Sequence, residues 1–121
     1  MSFIWITLKR IEAVIPHPRL DSTFAALDEL ELGGFTYYES KGRGELAPPE
    51  IHAERGTSVY RPEFNPNVTV AIVVKDDMVD KVTTKILEST STGLAGEGKI
   101  FVSQIDDVVD IGSKNRGDSA L

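Results

Sequence analysis

Between residues 42 and 66 the chain sets Gly42, Gly44, Pro48, Pro49, Gly56, Pro62 and Pro66 among many charges, with no sustained hydrophobic period. Proline removes a backbone donor and fixes φ, and glycine resists a regular conformation, so neither a helix nor a central strand runs through such a stretch. The chain is thereby divided into two halves that must pair with each other. A loop of this length inside a compact domain is either functional or disordered.

Each half reads as β-α-β. Residues 3–15 are β-rich without a helical stripe and predict one long strand, ended by Pro16 and Pro18. Asp21 stands as an N-cap, and Leu20, Phe24, Leu27 and Leu30 share a helical face that Gly33 and Gly34 terminate. Residues 35–41 read as a second strand. Residues 68–74 are nearly continuously apolar, as in a strand buried on both faces. Asp76 or Asp77 then caps a helix carrying Val79, Val82 and Ile86 on one side. A strand over residues 100–105, a short extended piece at 108–111 and a polar tail follow. The order β-α-β, long loop, β-α-β predicts an α+β, ferredoxin-like fold, with two helices on one face of an antiparallel sheet.

With 121 residues the chain is expected to form a single domain spanning 1–121. A net charge of −6 argues against a nucleic-acid partner, whose phosphates need lysine and arginine. The absence of cysteine excludes disulfides and thiolate metal sites. Lys9 and Arg10 follow the apolar start instead of preceding it, unlike a signal peptide, and no apolar run approaches a membrane span. The expectation is a soluble, cytoplasmic protein without direct membrane insertion.

The residues that carry chemistry are few. Gly93, Gly96 and Gly98 precede Lys99, which opens an apolar strand. Glycines let the main chain approach a ligand, successive amides form an anion-binding concavity, and Lys99 adds a point charge at its edge. The same run also suits a plain hairpin loop with a solvated lysine. Glu50, His52 and Glu54 alternate in the loop, but a metal site needs convergent ligands and a supporting shell, so no metal is expected. No serine elbow or cysteine nucleophile is present, and Asp76–Asp77 and Asp106–Asp107 fall at element ends. The chain does not read as an enzyme. A phosphotransferase or phosphatase on this fold is the weakest alternative, because the glycine region has no histidine or cysteine.

Four segments carry a resemblance. These are Arg10-Ile11-Glu12-Ala13-Val14-Ile15 with Pro18-Arg19-Leu20-Asp21, Gly34-Phe35-Thr36 with Lys41-Gly42-Arg43-Gly44, Gly98-Lys99-Ile100-Phe101-Val102, and Arg116-Gly117-Asp118-Ser119-Ala120-Leu121. Together they resemble the PII signal-transduction (nitrogen regulatory) family from about residue 10 onward. Residues 1–9 then extend the first strand, 42–66 form the T-loop, 91–99 the B-loop and 110–121 the C-loop. The resemblance implies a homotrimer whose clefts bind ATP or ADP, with 2-oxoglutarate joining magnesium and ATP. It also implies that the T-loop docks on an ammonium transporter or a nitrogen-metabolism enzyme. It carries nucleotide- or anion-binding roles to Thr36, Gly42, Gly44, Val73, Gly96, Glu97, Gly98 and Lys99. Partner-binding roles fall to Arg43, Glu45, Glu50, Arg55 and Tyr60, the last near the position that some members uridylylate.

The departures are specific. Two arginines that grip phosphates in the family are Asp110 and Gly112 here. A lysine that pairs with 2-oxoglutarate is Asn67, a glutamine at the loop base is Leu46, and a glutamate that reads adenine is Ala71. A hydrogen bond to a charged group contributes about 1.5–3 kcal/mol. Losing two such arginines therefore costs roughly 3–6 kcal/mol, or about two to four decades of affinity. Asp110 adds like-charge repulsion. Lys114 and Arg116 lie close enough in sequence to be substitutes. The expected effectors are 2-oxoglutarate, ADP, AMP or weakly bound ATP, with no prosthetic group. The alternative is an effector-independent interaction module that binds its partners constitutively.

Overall fold

The computed structural model describes residues 7–43, 51–52, 59–60, 64–91, 93 and 98–121. Its elements run β1 (Leu8–Pro16), α1 (Leu20–Asp28), β2 (Thr36–Gly42), β3 (Ile51–His52), β4 (Val59–Tyr60), β5 (Asn65–Lys75), α2 (Val79–Thr90) and β6 (Lys99–Ile105). Four strands form one sheet in the order β2-β5-β1-β6, and β3 pairs with β4 separately. All pairings are antiparallel. This is the ferredoxin-like α+β arrangement that the two β-α-β halves predict. The β3–β4 pairing adds a short ribbon inside the long loop.

The register explains the core. Ile11 lies opposite Ile72 and Ala13 opposite Val70, so alternate residues of β1 and β5 share the helix-facing side. There Ile11, Ala13, Ile15, Val68, Val70, Ile72 and Val74 pack with Leu27 and Leu30, and with Val82 and Ile86 of α2. Thr23 is buried among them, its hydroxyl donating to the Arg19 carbonyl at 2.9 Å. Lys85 reaches Glu29 at 2.7 Å and ties α2 to the end of α1.

Among the described residues no helix covers the other side of the sheet. In adjacent rows it presents Thr36, Ala71, Glu12 and Phe101, then Tyr38, Thr69, Val14 and Lys99. Tyr38 and Phe101 are about half exposed there.

Several element ends differ from the sequence reading. The first strand begins at Leu8, with residues 3–6 outside the described residues, and it includes Pro16. Asp21 is not the N-cap. A 3-10 turn at His17–Arg19 leads directly into α1, so Arg19 caps it and Asp21 sits in the first turn, where a carboxylate still suits the helix dipole. α1 ends at Asp28, well before Gly33. Leu30 and Leu32 would lie about 200° apart on a helix, and both pack on the core only because the chain leaves the helical path. Likewise neither Asp76 nor Asp77 is the cap of α2. A 3-10 turn at Asp76–Met78 precedes it, with the Asp76 amide donating to the Thr7 carbonyl at 2.9 Å. The piece at 108–111 is one arm of a tight hairpin rather than a free extended segment. No helix among the described residues is long and apolar enough to cross a membrane.

Candidate anion site and loop root

At the end of α2, Thr90 and Ser89 hydroxyls both donate back to the Ile86 carbonyl, at 2.7 and 2.9 Å. Such back-bonding competes with helix continuation. Gly93 then takes φ +86°, a left-handed conformation that glycine adopts without strain. The chain returns at Gly98, where an added Cβ would stand 2.5 Å from the Val14 carbonyl oxygen. Glycine is therefore required by close packing on β1, and the next residue, Lys99, is placed opposite Val14. Gly96 and Glu97 lie outside the described residues.

Beside Gly98 and Lys99 is a cavity of about 250 Å³ between α2 and the β1–β6 edge, walled by Ile15, Ile86, Leu87 and Ile100. Thr83 also lines it, and its Oγ1 is buried without a hydrogen-bond partner.

A second hollow, wider and more open, lies at the root of the long loop. His17, Glu39, Ser40, Lys41 and Asn67 line it. There Gly42 is pressed against Asn67, with an added Cβ falling 2.4 Å from the side-chain amide atom that faces it. The Asn67 amide, oriented by its hydrogen bonds, accepts from the Gly42 N–H at 3.3 Å and donates to the Pro66 carbonyl at 3.2 Å. The loop root is thus stitched by a neutral amide. Arg43 follows Gly42 and is exposed, and the side chain of Tyr60 is not described. Gly44, Glu45, Leu46, Glu50 and Arg55 lie outside the described residues.

Thr36 and Val73 face the same open side of the sheet as Lys99 but do not meet it. Thr36 is on the β2 edge and Lys99 on the β6 edge, three strand spacings away, or about 14 Å. One chain thus places the candidate residues Thr36 and Lys99 at opposite edges of the sheet.

The C-loop hairpin is closed around Asp110. Its carboxylate accepts from both the Ser113 N–H and the Ser113 hydroxyl at 2.8 Å, and its carbonyl accepts from the Lys114 N–H at 2.8 Å. Val109 bridges to Arg116 across the hairpin, and Lys114 takes φ +65°. Hydrogen bonds from Ser113 hold the Asp110 carboxyl below its usual range. The position thus has a structural use beyond the repulsion that the sequence suggests, and the Asp110-x-x-Ser113 spacing is the signal for it. Arg116 is tied to Asp107 at 2.6 Å. Among the described residues no acidic or histidine cluster could hold a metal.

The fold is a ferredoxin-like α+β domain with a long loop after β2 and a glycine-lysine junction at the start of β6. The family model described as nitrogen regulatory protein P-II matches residues 8–115. The chain is 39% identical over 116 residues to a nitrogen regulatory protein P-II of Bradyrhizobium diazoefficiens, covering 94% of this chain and 100% of that protein. It is 37% identical over 115 residues to nitrogen regulatory protein P-II 1 of Escherichia coli K12, with the same coverage. Among solved structures it is similar to Arabidopsis thaliana PII bound to citrate, with TM-score 0.75, 30% identity, and 95% and 92% of the two chains covered. It is also similar to B. subtilis GlnK, with TM-score 0.74, 26% identity, and 95% and 99% covered. The chain belongs to the nitrogen regulatory protein P-II family, and is a signal-transduction regulator of nitrogen metabolism rather than an enzyme.

Proposed function

We propose that this regulator is a cytoplasmic homotrimer that senses a small anionic effector and acts on its partner through residues 42–66. The observation that carries this reading is the separation of Thr36 and Val73 from Gly98 and Lys99 on one open sheet face. Half-sites at opposite edges become one cleft only when the β2 edge of one copy approaches the β6 edge of the next. Trimerisation would also cover the open face and the strand edges, which a protein in water must manage.

Within that cleft the Lys99 charge and the backbone at Gly98 suit a carboxylate or a short phosphate chain. 2-Oxoglutarate, ADP or AMP fits better than ATP, because Asp110 and Gly112 offer no second cation for the terminal phosphate. The citrate of the Arabidopsis relative supports a small polycarboxylate as effector. A partner of the ammonium-transporter or nitrogen-enzyme kind follows from the family, docking through the loop that carries Arg43, Glu45, Glu50, Arg55 and Tyr60. The self-closed Asp110 hairpin favours a second reading, an interaction module that no longer needs an effector.

Light scattering at micromolar concentration tests the assembly, with a trimer mass expected. A monomer would overturn the cleft. Calorimetry with citrate and 2-oxoglutarate separates the two readings, since the constitutive module binds neither.

A further inference from the structure

Phe24, Phe35 and Tyr37 meet at the outer corner between α1 and the β2 edge, on the helix side of the sheet, with Tyr37 opposite Val70 of the core. The Phe24 ring is 5.3 Å from that of Phe35, tilted at 40°, and 4.9 Å from that of Tyr37, edge to face at 61°. The packing orders the rings, yet Tyr37 stays 54% exposed. Aromatic area left in water at an ordered place marks a contact surface. The rim of this one is acidic. Asp21 and Asp28 lie one turn before and one turn after Phe24 on α1, and both are exposed. Glu39 is two residues on from Tyr37 and so on the same side of β2, with His17 at 4.0 Å from it. Among the described residues Asp21 and Asp28 form no ion pair. The cations nearest in position, Arg19 and Lys41, stand further along the two elements, beyond Asp21 and Glu39.

We infer that this corner is a docking site for an arginine side chain of a partner protein. A guanidinium is planar, so it stacks flat on the exposed Tyr37 ring, whose negative face attracts a cation. Its N–H groups then point outward in the ring plane, where the rim carboxylates accept them. An apolar side chain would use the rings and leave the carboxylates unmatched. A lysine would satisfy the charge, but its compact ammonium cannot stack as a plane. Rings and rim thus select the same group. The corner is on the opposite side of the sheet from Thr36, Val73 and Lys99, and it does not rest on the effector reading. Gly42, where the long loop leaves β2, is five residues from Tyr37, or about 17 Å. A partner engaged by the loop therefore has the corner within reach, and the second contact gains from the effective concentration set by the first.

The test is an NMR titration of the full chain with N-acetyl-arginine methylamide, with the lysine and citrulline analogues as controls. The arginine probe is expected to shift the ring signals of Phe24, Phe35 and Tyr37 saturably and to bind about threefold or more tighter than the lysine probe. The uncharged citrulline probe is expected not to bind. Tyr37→Leu keeps apolar bulk at an exposed position, and Asp21→Asn/Asp28→Asn leaves the rings in place. Each is expected to weaken the arginine probe about threefold or more. Ring signals that do not move, citrulline binding as well as arginine, or an unchanged affinity in either variant overturns the site. Light scattering of Tyr37→Leu is expected to give the mass of the parent. A smaller mass would assign the corner to a contact between copies and overturn the partner site.

Discussion

Gly98 lies so close to Val14 that a side-chain carbon on it would stand 2.5 Å from the Val14 carbonyl oxygen. The obstacle is backbone in the middle of β1, which cannot swing away. This one contact sets where β6 starts and therefore where Lys99 stands. Gly98→Ala is expected to lose about 1–3 kcal/mol, the usual cost of overpacking. Chemical denaturation checks it, together with loss of citrate binding as Lys99 is displaced.

Thr83 tests the cavity wall independently. Its Oγ1 is buried and unpartnered, and a buried unsatisfied hydroxyl costs about 1–3 kcal/mol. Thr83→Val keeps the shape and removes the polar atom. The denaturation midpoint is expected to rise by the equivalent of about 1 kcal/mol. A drop of that size would mean that the hydroxyl is satisfied in solution.

At the loop root, Asn67→Lys introduces the residue type that the family resemblance implies for this position. It also removes the acceptor for the Gly42 N–H and crowds a Cα that already sits against this side chain. The expected outcome is a gain in 2-oxoglutarate affinity by calorimetry with a loss of about 0.5–1.5 kcal/mol in stability. A variant as stable as the parent would show that the Asn67 stitch contributes nothing.

Asp110 makes the hairpin sensitive to pH. Its folded-state pKa lies below the ordinary 3.8 because Ser113 donates to the charged form. The stabilisation is therefore present above the unfolded value and is lost as pH falls through the lower folded one. Carboxyl-carbon NMR should give a midpoint under 3.8, with the Ser113 amide shift following the same curve. A midpoint at or above 3.8 would contradict the hairpin geometry.

The architecture was largely legible because its signals are local. The apolar run at 68–74 had to be a central strand, and β5 is central, between β2 and β1. The last sheet strand, expected at 100–105, opens one residue earlier, at Lys99. Element ends were not legible. Both helices begin through 3-10 turns, which leave no capping signature, and α1 stops for packing reasons that concern Leu30 and Leu32 together. The site was half legible. Residue types singled out Lys99 and positions 110 and 112 as candidates, but not the Asn67 amide bonded to Gly42. Nor could spacing reveal that Thr36 and Lys99 occupy opposite sheet edges, which depends on strand order.

We propose that a self-contained hairpin stands in this regulator where a phosphate clamp would grip ATP. Calorimetric titration of ATP with magnesium, into the unmodified protein and into Asp110→Arg/Gly112→Arg, tests it most directly. The unmodified protein is expected to bind ATP weakly or not at all, and the double variant at least one decade more tightly. Tight ATP binding by the unmodified chain, equal to that of the variant, would contradict the account.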